Sequence, residues 1–229
     1  MLATPNSPVA TVPLAPQAAQ PANTSRRPVD LIVIHCSATA SGKPLTKGKP
    51  GMPGYKHAAQ VIDDWHAQRG FARRPAAVQA FNKALPHIGY HFVIDLSGAV
   101  RSGRALSEIG AHAQFWNTRS VGICLVGGSE RDAKYTREQW KSLAEVVTML
   151  LADYGIAAIS PKLRFDAVNK LGFTEGGGVC GHRDLSPDKN ANGIAEPVEW
   201  LKTCPGFSVA AWMKNGMQPT AAQIFEVAA

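Results

Sequence analysis

The stretch D-L-I-V-I-H-C, Asp30–Cys36, runs through the apolar residues Leu31 to Ile34 and sets His35 directly after them. Unbroken apolarity over so short a run marks a strand buried on both faces of a sheet, the way parallel strands read. A second run of this kind, S-V-G-I-C-L-V-G-G at 120–128, closes on Gly127-Gly128. Around these runs the apolar period becomes helical. Ala58–Arg69 sets Val61, Ile62 and Trp65 on one side and stops at Gly70. Thr136 and Gln139 have capping-box spacing. They precede a stripe of Trp140, Leu143, Val147, Leu150 and Leu151 that Gly155 ends.

Y-H-F-V-I-D-L-S-G-A-V, from Tyr90, predicts a hairpin turning at Ser97-Gly98. G-G-G-V-C-G-H predicts a short strand leading into His182, and Ser208–Asn215 a last helix with Val209 and Trp212 inward. Strands interleaved with helices give an α/β (α+β) class: a single domain with a central mixed β-sheet flanked by helices. Loops are inserted at Ala40–Lys56 and Ala72–Ile88. The boundaries follow from composition: a flexible Pro/Ala-rich arm at 1–28, the domain at 29–216 and a tail at 217–229.

The net charge of +7 favours encounter with a polyanion. No dense Lys/Arg run or aromatic-basic stripe is present, so nucleic acid is not the expected partner. No apolar run reaches the length of a membrane span. Residues 1–28 lack a basic segment followed by an apolar one, so synthesis in the cytoplasm without a signal peptide is expected. Cys36, Cys124 and Cys180 sit in or beside apolar strands, and no disulfide framework is visible.

Three strings carry the chemistry: I-H-C-S-A-T at 34–39, G-H-R-D at 181–184 and L-K-T-C-P-G-F at 201–207. Taken singly, His35 reads as a structural histidine and Cys204 as a small buried hydrophobe. Together, His35, His182 and Cys204 make the ligand count of a catalytic zinc, which keeps a fourth position open. Lys202 sets a cation where an oxyanion develops, and the set names metal-assisted hydrolysis. A cysteine hydrolase built on Cys36 and His35 is not expected, because adjacent strand residues point to opposite faces.

These strings, with W-H-A-Q-R-G-F, G-Y-H-F-V-I, G-A-H-A and S-V-G-I-C-L-V-G-G, occur in the order found in a known family. Over about Asp30 to Lys214 the chain resembles the zinc-dependent N-acetylmuramoyl-L-alanine amidases of the phage-lysozyme and peptidoglycan-recognition-protein type. The resemblance implies His35, His182 and Cys204 as zinc ligands and Tyr90 and Lys202 as the catalytic side chains. It implies His112 as a substrate contact, with Asn117 a polar residue of the groove. His91 alternates with Tyr90 and reads as structural; His57 and His87 are expected at the surface.

Between His182 and Cys204 the chain departs from the short phage enzymes. The insertion D-K-N-A-N-G-I-A-E-P-V-E, Asp188 to Glu199, matches the ligand positions of a calcium loop. Asp188, Asn190 and Asn192 open it, Gly193 takes the sharp turn, Ile194 offers a carbonyl, and Glu196 and Glu199 close it. Flanking helices are not evident and Pro197 is unusual there, so a solvated Asn-Gly turn competes with a calcium site.

The resemblance implies a peptidoglycan hydrolase cleaving between N-acetylmuramic acid and L-alanine, with zinc as cofactor and calcium as a candidate second metal. A signal-less, basic, single-domain chain suggests an endolysin of a phage or prophage. It would be a monomer made in the cytoplasm that reaches the cell wall after membrane permeabilisation. A muropeptide-recycling amidase and a delivered antibacterial effector are rivals with the same site. A non-catalytic peptidoglycan-binding module would lack Cys204, Tyr90 and Lys202.

Overall fold

A computed structural model describes residues 27–166, 169, 171–190, 192 and 195–226. All but the last two residues of the expected arm lie outside the described residues, as do Gly193 and Ile194. The central sheet has five strands in the order β3-β2-β4-β1-β7. These are β1 (Leu31–Cys36), β2 (Phe92–Ile94), β3 (Val100–Ser102), β4 (Ser120–Leu125) and, after a separate hairpin, β7 (Gly178–Gly181). β1 lies between β4 and β7 and is parallel to both, which is why its six residues are buried without alternation. β2 and β3 pair antiparallel around the expected turn, where the Asp95 carboxylate accepts the amides of Ser97 and Ala99.

Helices cover both faces of the sheet. One face carries Ile32, Ile34, Val121, Ile123 and Leu125. It buries them against α3 (Arg137–Tyr154) through Trp140, Leu143, Val147 and Leu150. It also meets α4 (Val209–Lys214) through Val209 and Trp212. The Thr136–Gln139 capping box forms, and Gly155 ends α3 in the left-handed conformation at φ +64°. The opposite face carries α1 (Ala58–Gln68), whose Ala58, Ala59 and Ile62 pack with Val93 and Cys124. The expected loop at 72–88 holds a short helix, α2 (Pro75–Ala80), and is fixed by buried Arg73, which donates to the carbonyls of Phe81 and Leu85 and pairs with Glu108.

A hairpin unanticipated in the sequence, β5 (Lys162–Asp166) and β6 (Leu171–Glu175), forms a separate two-stranded sheet. Arg119 ties it down, pairing with Asp30 and donating to the Gly172 carbonyl and the Thr174 hydroxyl. Residues 217–226, expected as a tail, are bound to the domain: the Tyr135 amide donates to the Gln223 carbonyl, the Phe225 amide donates to the Tyr135 carbonyl, and the Trp140 indole donates to the Gln223 carbonyl. All four cysteines are free. Among the described residues no helix is long and apolar enough to cross a membrane.

Candidate active site

Strand register assembles the site. The parallel pairing of β1 with β7 sets Ile34 beside Gly181. The next residues, His35 and His182, therefore emerge side by side from the carboxyl ends of the two strands. Their Nδ1 atoms stand 3.2 Å apart. The G-H-R-D string then brings in the third group. Gly181 has no side chain because a Cβ there would fall 2.7 Å from Pro205 Cδ, closing the space into which the Cys204–Pro205 turn fits. The Arg183 amide donates to the Cys204 carbonyl at 2.8 Å, and the Asp184 carboxylate accepts the Gly181 amide at 2.8 Å. Cys204 Sγ accepts the Cys36 amide at 3.1 Å. The Cys36 thiol donates to the Gly128 carbonyl and also lies against the Cys204 thiol.

One donor atom from each of His35, His182 and Cys204 lies within 4.8 Å of the others, the group of described residues placed to hold a metal ion. The geometry suits one. Two imidazole nitrogens at 3.2 Å cannot both act as bare acceptors, so either a proton or a cation lies between them. The tetrahedral edge for ligands about 2.0 to 2.1 Å from zinc is close to this separation. Burial lowers the His35 pKa well below its ordinary value, with His182, His112 and Lys202 adding to the effect. Burial, with Lys202, lowers His182 to about 4. Both rings are therefore neutral and available as ligands at neutral pH. Burial raises the Cys204 thiol, and only a cation beside it would favour the thiolate.

Behind His35 stands His112. Its Nδ1 lies 3.0 Å from His35 Nε2. A metal held on His35 Nδ1 would leave the proton on Nε2, to be donated backwards to His112 Nδ1, the arrangement that fixes the tautomer of a ligating imidazole. His112 is seated between glycines: a Cβ on Gly122 of β4 would come within 2.6 Å of its ring, and one on Gly110 within 2.4 Å. The Asn117 side-chain oxygen holds the loop by accepting the amides of His112 and Ala113, each at 2.9 Å. His112 and Asn117 both line the cleft, where a substrate contact was expected, and each also has this second, internal task.

Tyr90 lies just before β2, its ring centroid 5.1 Å from that of His35. Burial, reinforced by Cys124, Cys204 and Cys36, pushes its phenol well above the ordinary value, so it is a neutral donor. His91 faces the other way. Its Nδ1 accepts the Gly122 amide at 3.0 Å, its Nε2 lies 3.0 Å from the Glu108 carbonyl, and burial lowers it to about 3. His66 Nδ1 likewise accepts the Gly89 amide. His57 and His87, expected at the surface, are half-buried, His57 at the N-cap of α1 and His87 against the Phe71 carbonyl.

A cavity of about 550 Å³ and a narrower one of about 190 Å³ meet over the histidines, sharing Arg69, Phe71, Ala111, His112, His182 and Lys202. Tyr90 and Cys204 line the narrower. Arg69 and Phe71 come from the W-H-A-Q-R-G-F string and went unsingled there. Their pairing, a guanidinium 4.9 Å from the ring centroid, arises only where α1 ends.

In the 188–199 loop the Glu199 carboxylate accepts the amides of Lys189 (2.6 Å), Asn190 (3.2 Å) and Glu196 (2.9 Å). The Asn192 amide donates to the side-chain oxygens of Asp188 and Asn190, and Asn190 Nδ2 donates to Glu196. Among the described residues these carboxylates form no cation-holding cluster. The Glu199 carboxylate, expected at the closing position, accepts these backbone amides.

Residues 25–207 match the N-acetylmuramoyl-L-alanine amidase family. An uncharacterised protein of Haemophilus influenzae is 42% identical over 124 residues, 52% of this chain and 90% of that protein. The endolysin of Escherichia phage T7 is 27% identical over 194 residues, 83% of this chain and 89% of that protein. The fold is similar to that of the endolysin N-acetylmuramoyl-L-alanine amidase LysCS from Clostridium intestinale, with TM-score 0.50, 21% identity and 84% of each chain covered. A histidine pair at the ends of parallel strands, a thiol turned towards it and a sequence match spanning both place this chain in the N-acetylmuramoyl-L-alanine amidase family.

Proposed function

We propose that the chain is a zinc-dependent peptidoglycan amidase, an endolysin that opens the amide between the lactyl group of N-acetylmuramic acid and L-alanine. The observation that carries this reading is the His35–His182 Nδ1 pair at 3.2 Å, with Cys204 beside it, in a cleft that Tyr90 and Lys202 line. His35, His182 and Cys204 would hold the zinc, which supplies a Lewis acid and a water acidified to near neutrality. Tyr90, kept protonated by burial, donates a hydrogen bond to the oxygen that gains charge as the carbonyl becomes tetrahedral. Lys202, already close enough to depress both histidines, neutralises that charge. His112 holds the His35 ring in one tautomer. Similarity to phage endolysins over 83% of the chain supports the lytic role, and the net charge of +7 assists contact with an anionic envelope.

Mass spectrometry of digested sacculi tests this reading. Release of stem peptides beginning at L-alanine, lost in Cys204→Ser, is expected. Cleavage within the glycan, or products unchanged by that substitution, would overturn it.

A further inference from the structure

The two ends of the wider cavity differ in chemistry. The end shared with the narrower cavity holds the cations Arg69 and Lys202 and the histidines. At the far end two aromatic rings stand open to solvent: Phe115, 37% exposed, and Phe165, 42% exposed. Their centroids are 5.2 Å apart, with planes tilted by 47°.

Both rings are built into place. Phe115 has φ +71°, a conformation that bulky side chains rarely adopt and that calls for a compensating role. The Gly172 amide of β6 holds it there by donating to the Phe115 carbonyl at 3.2 Å. Phe165 shares a face of β5 with Leu163, which packs on the cluster containing Leu31, Val33 and Trp116. Gly172, paired with Phe165 across the hairpin, has no side chain because a Cβ would lie 2.2 Å from the Trp116 ring. The hairpin therefore lies flat on Trp116 and extends Phe165 over the cleft.

We infer that Phe115 and Phe165 form a sugar platform, a subsite for a pyranose ring of the glycan strand beside the scissile amide. This rests on the amidase reading. A muramoyl amide has sugar on one side and an acidic peptide on the other. The peptide's carboxylates call for cations, and among the described residues the lining outside the shared end, which includes Gln114, Leu185, Ser186 and Pro187, offers none. A pyranose presents weakly polarised C–H groups, which the negative face of an aromatic ring attracts. Its hydroxyls can bond the Gln114 amide and the Ser186 hydroxyl. The peptide then takes the narrower arm, towards Arg69. The platform makes the enzyme prefer polymeric glycan over a muropeptide with a single sugar.

The test compares kcat/KM on solubilised glycan strands bearing stem peptides with kcat/KM on a single N-acetylmuramoyl peptide. Wild type, Phe165→Ala and Phe165→Tyr are measured, with melting temperature as the fold control. Phe165→Ala is expected to lose about tenfold more on strands than on the single-sugar substrate, the scale of an aromatic contact residue. Phe165→Tyr is expected to restore the ratio. Equal losses on both substrates, no loss on either, or a loss that tracks peptide length instead of glycan length overturns the platform. A wild-type protein that cleaves neither substrate overturns the amidase reading instead.

Discussion

His35 and His182 lie one residue beyond a parallel β-pair, and their Nδ1 atoms meet at 3.2 Å because Ile34 is in register with Gly181. The two histidines are 147 positions apart in the chain. No loop has to close to bring them together; the sheet does so, and only Cys204 arrives on a turn. Rigid strands thus carry the geometry most sensitive to displacement, and the less regular 186–204 segment carries Lys202 and Cys204.

The seat of His112 gives a first prediction. His112→Ala removes the ring nitrogen paired with His35 Nε2, and metal affinity is expected to fall by about 10- to 100-fold, the usual effect of losing such a partner. Gly122→Ala reaches the same ring from below, since its Cβ would lie 2.6 Å from it. That variant is expected to lose metal affinity similarly and to be destabilised by about 1–3 kcal/mol through overpacking. Competition with a chromophoric zinc chelator reads the affinity and urea denaturation the stability. Unchanged affinity in both variants would remove His112 from the metal's support.

The role proposed for Tyr90, a neutral donor, predicts that Tyr90→Phe lowers kcat by about 10² to 10³ with metal content unchanged. Steady-state kinetics together with elemental analysis separates this from a ligand role. A variant that loses zinc, or keeps full activity, contradicts the assignment.

Acid sensitivity follows from two histidines outside the metal cluster. Burial lowers His91 to about 3 and His66 to about 4. Both are neutral in the fold and take up protons on unfolding below about pH 6.5. Their contribution is therefore complete above that pH and is lost as pH falls towards the folded values. Each adds a slope of up to about 1.4 kcal/mol per pH unit. Urea midpoints between pH 7 and 4.5 are expected to decline steeply; a flat profile would mean that these rings are not held neutral.

A cation in the 188–199 loop would have to draw Glu199 away from three backbone amides. Calcium added to zinc-loaded protein is accordingly expected to change Tm by less than about 1 °C, whereas Glu199→Ala, which frees those amides, lowers both Tm and activity. A rise of several degrees with calcium would show that Glu199 exchanges the amides for the ion.

The sequence made the sheet's buried strands, the α3 capping box and the three strings that bring His35, His182 and Cys204 together legible, because each is set by local pattern. The β5–β6 hairpin was not legible. An isolated pair of strands is marginal alone, and this one is stabilised by Trp116 and by the Arg119–Asp30 pair, contacts made across the fold. The same limit applies to the site. His35 and His182 could be named from their neighbours, but the position of His112 behind His35 depends on Gly122 lying under it in β4. The place of Phe165 over the cleft depends on a glycine flat against an indole. The Glu199 carboxylate matched a calcium pattern in spacing; only the loop's backbone shows which donors it meets.

The most direct measurement is mass spectrometry of sacculi digested by wild-type and Cys204→Ser protein, with zinc content determined on both samples. The expected result is about one zinc per wild-type chain, with intact glycan strands and free peptides carrying an N-terminal L-alanine. The substituted protein is expected to show neither zinc nor peptide release. Peptide release by zinc-free protein, or cut glycan with its lactyl–alanine amides intact, would contradict the account.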